Sequence, residues 1–94
     1  MKDLVLHVSV RPFLMLKAGI KKEEYRLRTS YWNRRLSDDK LPFRNVIIHH
    51  GYPASGEQGR TLIFKFMGII EKEVTDPFFG ENPVLVHAIQ LGVP

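Results

Sequence analysis

The segment Gly19-Ile20-Lys21-Lys22-Glu23-Glu24-Tyr25-Arg26-Leu27-Arg28 divides two kinds of sequence. Before it lies an apolar, helix-like run that stops at Gly19. After it the pattern alternates, and side chains along a strand switch faces at every residue. Read as a strand, the segment puts Tyr25 and Leu27 on one face, which suits a core. Glu24, Arg26 and Arg28 share the other face, with Lys21 at the turn that opens the strand. That second face gathers one carboxylate and two guanidiniums. It is either a solvated strand face with an i, i+2 ion pair or a binding surface for an anion.

On the N-terminal side, residues 4–10 alternate as a half-buried strand does, with Leu4, Leu6, Val8 and Val10 pointing one way and Val5, His7 and Ser9 the other. Pro12 suits the first position of a short helix, where its missing N–H costs nothing. Phe13 and Leu16, three apart, face the core, Met15 fills space, and Gly19 ends the helix in a left-handed conformation. On the C-terminal side, Thr29 or Ser30 caps a second short helix. Trp32 and Leu36 are four apart and share one face of it. Trp32, the one tryptophan, is either a packing residue or a base-stacking platform at a cleft edge. Residues 37–42 form a polar loop ending in proline.

Residues 45–52 read as a strand buried on both sides, ending in His49-His50-Gly51-Tyr52. Adjacent histidines on a strand face opposite ways, and neither has a ligand-spaced partner, so no metal site is expected. One of the two faces the cleft; the other packs or meets solvent. Residues 53–60 hold turn-forming glycines, with no Gly-Lys-Ser/Thr to make a phosphate cradle, and at that length the connection can fold over a cleft. Residues 61–74 are long for one strand, and Gly68 marks a bulge or bend. In the loop at 76–83, Phe78 and Phe79 either plug an open barrel end or form a cleft lip. Residues 84–91 make the last strand.

Five strands and two early helices give a mostly β, α+β chain in the order β-α-β-α-β-β-β. A doubly wound sheet would need helices between the later strands, so a small β-barrel in one domain over residues 1–94 is expected. The 94 residues include no cysteine, which removes disulfide and thiolate chemistry and suits a reducing compartment. There is no run of about 20 apolar residues to span a membrane and no signal-like opening segment, so the expectation is a cytoplasmic protein. Charge is uneven. Residues 11–44 carry ten basic side chains against four acidic ones, a net +6, whereas three basic and five acidic residues from Asn45 onward leave −2. A basic half centred on the quoted segment favours a polyanionic partner.

Gly19-x-Lys21-x-x-Glu24-x-Arg26 resembles the G-x-K-x-x-E-x-R signature of the ASCH superfamily, a branch of the PUA-like β-barrel folds. The motif stands after a strand and a short helix, as in that family, and the order of elements fits over nearly all 94 residues. The resemblance implies a small PUA-like barrel with a basic cleft beside the first helix and the motif strand. Members use it for RNA binding, ribonuclease activity or amide hydrolysis on modified nucleosides. The motif carries Lys21, Glu24 and Arg26 onto this chain; with Arg28, Trp32, His49 and Tyr52 from the reading of the residues they make the expected ligand-binding set, with no cofactor and no metal. In members resembling acetylated-cytidine amidohydrolases the matching lysine is catalytic, assisted by a threonine where this chain has Glu24 and by a later glutamate. Here Glu24 departs from that pattern and favours the Lys21 ammonium. A later carboxylate would have to come from Glu71, Glu73 or Asp76.

A binding module requires the fewest coincidences: a basic cleft, a carboxylate and stacking aromatics. RNA or a nucleotide is therefore the first expected partner. The alternative is a hydrolase acting on RNA or a modified nucleoside with Lys21 and Glu24 catalytic, joined for RNA cleavage by Arg26 and by His49 or His50. An acidic protein partner comes third.

Overall fold

A computed structural model describes residues 1–52 and 59–93. Most of the turn-rich stretch expected at 53–60 thus lies outside the described residues. In chain order the elements are β1 (Leu4–Val8), α1 (Val10–Lys17), β2 (Glu23–Leu27), α2 (Ser30–Arg35), β3 (Asn45–His50), β4 (Thr61–Val74) and β5 (Val84–Gly92), with single 3-10 turns at Asp38–Lys40 and Pro77–Phe79. The fold is α+β and mostly strand. Among the described residues, no helix is long and apolar enough to cross a membrane.

The strands form one mixed sheet in the order β1-β3-β4-β5-β2, with β1 parallel to β3 and every other pair antiparallel. The sheet is open, with β1 and β2 at its two edges; pairing between strands does not close it into the expected barrel. An edge strand leaves backbone groups that need partners. Here two guanidiniums supply them. Arg26 on β2 donates from Nη2 to the His7 carbonyl (3.0 Å), and Arg35 of α2 donates from Nη2 to the Val5 carbonyl (3.1 Å). Among the described residues, side chains and not a fifth line of backbone pairing tie β1 to β2 and to α2.

Leu4, Leu6 and Val8 of β1, Val46 and Ile48 of β3 and Ile89 of β5 form the sheet's contribution to the core. Phe13 and Leu16 of α1 pack onto it as their spacing predicts, and Leu36 and half-buried Trp32 bring in α2. Thr29 caps α2 by accepting from the Trp32 N–H. Gly68, at φ 108°, sits in the break of register between Phe66 and Ile69, so the expected bulge is where β4 bends.

Three local expectations are corrected. Helix α1 starts at Val10, so Pro12 is its third residue; its absent N–H is still one of the first-turn groups without an intrahelical acceptor. Ile47 of β3 is only half-buried between fully buried Val46 and Ile48. Most consequentially, the two faces of β2 are reversed. Glu24 is buried, at 5% exposure, while Leu27 is 38% exposed and Tyr25 half-buried. Alternation states which residues share a face, not which face turns inward. Inward here is the charged one, because Lys21 and Arg26 neutralise Glu24 there.

Candidate functional site

Helix α1 delivers Lys21. Its last turn closes with Gly19 at φ 76°, the Gly19 N–H bonded to the Leu16 carbonyl and the Ile20 N–H to the Met15 carbonyl. These are the two bonds of a Schellman ending. The Lys21 N–H also reaches the Met15 carbonyl, so the chain reverses tightly before entering β2. Lys21 Nζ then lies 3.1 Å from Glu24 Oε1. Arg26, two residues on and therefore on the same face as Glu24, places Nη2 2.8 Å from Glu24 Oε2. Both carboxylate oxygens are engaged, one by each cation. Lys21 and Arg26 keep 17% of their side-chain surface exposed against 6% for Glu24. The acid lies beneath and the two cations face outward.

That outward side opens on a cleft of about 610 Å³, within the size range of small-molecule sites. It is lined by Ser9, Arg11 and Pro12 around the start of α1 and by Tyr31 and Trp32 of α2. Asp76, Phe78 and Phe79 line it as well. Asp76 accepts from the Phe78 N–H at 2.9 Å, which fixes the 3-10 turn, and the two phenyl rings meet edge to face. Phe78 is 69% exposed, so it forms a lip of the cleft and does not plug the end of the sheet. Trp32 takes the first of the two roles foreseen for it. It packs on the core, and its ring also lies under the Arg26 guanidinium (4.9 Å) while lining the cleft.

The expected binding residues therefore separate. Lys21, Glu24, Arg26 and Trp32 meet in the cleft. Arg28 is outside it, paired with Glu71 at 3.1 Å. His49 is also outside it, bonded through Nδ1 to the Thr61 hydroxyl, and His50 lies against Phe13. Tyr52 stands over His7, their rings stacked at 4.0 Å, and lines a neighbouring smaller recess. His7, Tyr31 and Arg35 were missed. His7 sat on the polar face of β1, opposite Leu6, and Arg35 stands one helical turn after Trp32; those two spacings were the available signals.

Behind the cleft, His87 of β5 is buried and pairs Nε2 with Asn33 Oδ1 of α2 at 2.7 Å. Burial, assisted by the Arg28 charge, holds its imidazole below the usual histidine range. On the opposite face of β2, Glu23 accepts from Lys72, Gln90 and the Tyr25 hydroxyl. Burial pulls the Glu23 carboxyl upward, but these bonds together outweigh it and hold it below its ordinary range. Among the described residues no group of three or more His, Cys, Asp or Glu side chains gathers as a metal site would. Compared with known proteins, the chain matches no family model, no curated protein and no solved structure.

Proposed function

We propose that this protein binds RNA or a nucleotide in the cleft floored by Lys21, Glu24 and Arg26, in the manner that the resemblance to the ASCH superfamily implies. The observation that carries this reading is the arrangement of the triad. Glu24 spends one oxygen on each cation and is itself covered, so it orients Lys21 and Arg26 and leaves recognition to them. The Arg26 bonds run through Nη2 alone, which leaves the Nη1 N–H groups for a phosphate oxygen or a base carbonyl. Exposed Phe78, which lines the same space, offers a face for a base.

A hydrolase is the second reading, and one observation favours it. Of the three later carboxylates considered, Asp76 alone lines the cleft with Lys21; Glu71 is paired with Arg28. Against it, Lys21 sits in a salt bridge, and an ammonium so held has no lone pair with which to attack. The two readings part in one experiment: mixed single-stranded RNA and a panel of acylated cytidines are incubated with the parent and with Lys21→Ala, and products are read by mass spectrometry alongside RNA retention. A binding module retains RNA, loses most of that retention in the variant and yields no product. Product that vanishes with Lys21→Ala establishes the hydrolase instead.

A further inference from the structure

A second recess, of about 350 Å³, lies beside the cleft and shares four of its lining residues: His7, Arg26, Tyr31 and Trp32. Its own additions include Arg35 and Tyr52. The two spaces are thus halves of one trough, with Arg26 and Trp32 at the waist. Two guanidiniums converge there. Arg26 and Arg35 both lie over the Trp32 ring, at 4.9 and 5.6 Å from its centroid. Their Nη2 atoms bond carbonyls two residues apart on the free edge of β1. Two residues of strand are roughly 6.6 Å, so the two Nη2 atoms are anchored about that far apart along β1, while Arg35 Nη1 donates to the Tyr31 hydroxyl (3.2 Å). The Nε atoms of both arginines are buried and have no hydrogen-bond partner among the described residues, so any further bonding falls to their terminal nitrogens. Beyond Arg35, Tyr52 is 81% exposed and stacked on its inner side against His7, whose Nδ1 is itself fixed by the Gly51 carbonyl at 2.6 Å. One face of the phenol is backed by an anchored imidazole and its remaining surface is open to a ligand.

From this geometry we infer that the trough takes at least two successive nucleotides of a single strand: one base in the larger cleft, the linking phosphate on Arg26 and Arg35, and the next base on Tyr52. The inference rests on the nucleic-acid reading above and adds a register and a minimum length to it. Stacking on an aromatic platform is tolerant of base identity, so the second half contributes affinity for any sequence, and selectivity belongs to the cleft.

The test compares the four 5′-mononucleotides with mixed-sequence, 5′-phosphorylated RNA dinucleotides by calorimetry, in the parent, Tyr52→Ala and Tyr52→Phe. The expected parent prefers the dinucleotide by about tenfold or more. That ratio collapses toward one in Tyr52→Ala and is kept in Tyr52→Phe, which preserves the ring. A parent that binds both lengths equally, or a ratio that survives in Tyr52→Ala, overturns the second subsite and leaves the nucleotide-binding reading standing. A parent that binds neither length, and no longer RNA, overturns both.

Discussion

Glu24 is the residue on which the site turns. A carboxylate this covered costs several kcal/mol of desolvation unless cations repay it, and Lys21 and Arg26 do so from either side. Glu24→Gln keeps the shape and removes the charge, leaving two largely covered cations without their shared carboxylate. We expect a loss of about 3 kcal/mol of unfolding free energy, read from the urea midpoint at constant slope; an unchanged midpoint would show the triad to be no more than a surface pair. His87 gives a second test at this scale. Its folded imidazole holds a proton less readily than the unfolded one, so the unfolded chain binds more protons below about pH 6.5. Stability therefore falls as the pH drops from 7 toward 5, by at most about 1.4 kcal/mol per unit, and His87→Gln should flatten that slope. A parent whose stability stays level over this range would contradict it. The inward turn of Glu24 was not legible in the sequence. Tyr25 and Leu27 are the more apolar pair, and only the meeting of Lys21, from the helix end, with Arg26 makes the charged face the cheaper one to bury. Composition by face is blind to a neutralising partner brought in by a turn.

The elements themselves were largely legible, for reasons local to the chain. Phe13 and Leu16, Thr29 ahead of α2 and Gly68 in β4 each act through neighbours within a few residues, and each sits where its chemistry places it. What depended on distant contacts was not legible: Phe78 at a lip, His49 turned away to Thr61, Arg28 drawn off by Glu71. The ending of α1 links local grammar to the site. Gly19 has no atom near the position a Cβ would take, so Gly19→Ala meets no clash and its cost is that of the left-handed backbone alone, about 1 kcal/mol. Because the same turn aims Lys21, that substitution should also weaken RNA association several-fold while the apolar core is untouched. A stability loss with unchanged affinity would mean that Lys21 finds the cleft without the Schellman turn.

For the whole molecule, the open sheet and the site are one construction. Arg26 and Arg35 satisfy the unpaired edge of β1 and, in doing so, line the trough with cations. Four of the ten basic residues at 11–44, Arg11, Lys21, Arg26 and Arg35, line the trough. Phosphate contacts made by such a groove release counterions, so affinity falls with salt in proportion to the number of contacts. The most direct measurement is the affinity for mixed single-stranded RNA across a salt series, in the parent and in Arg26→Ala. The account predicts weaker binding in the variant at every salt concentration, with the log–log salt slope reduced by roughly 0.7, one phosphate contact on a single strand. Equal affinities and equal slopes would place the RNA elsewhere on the protein and contradict the central claim.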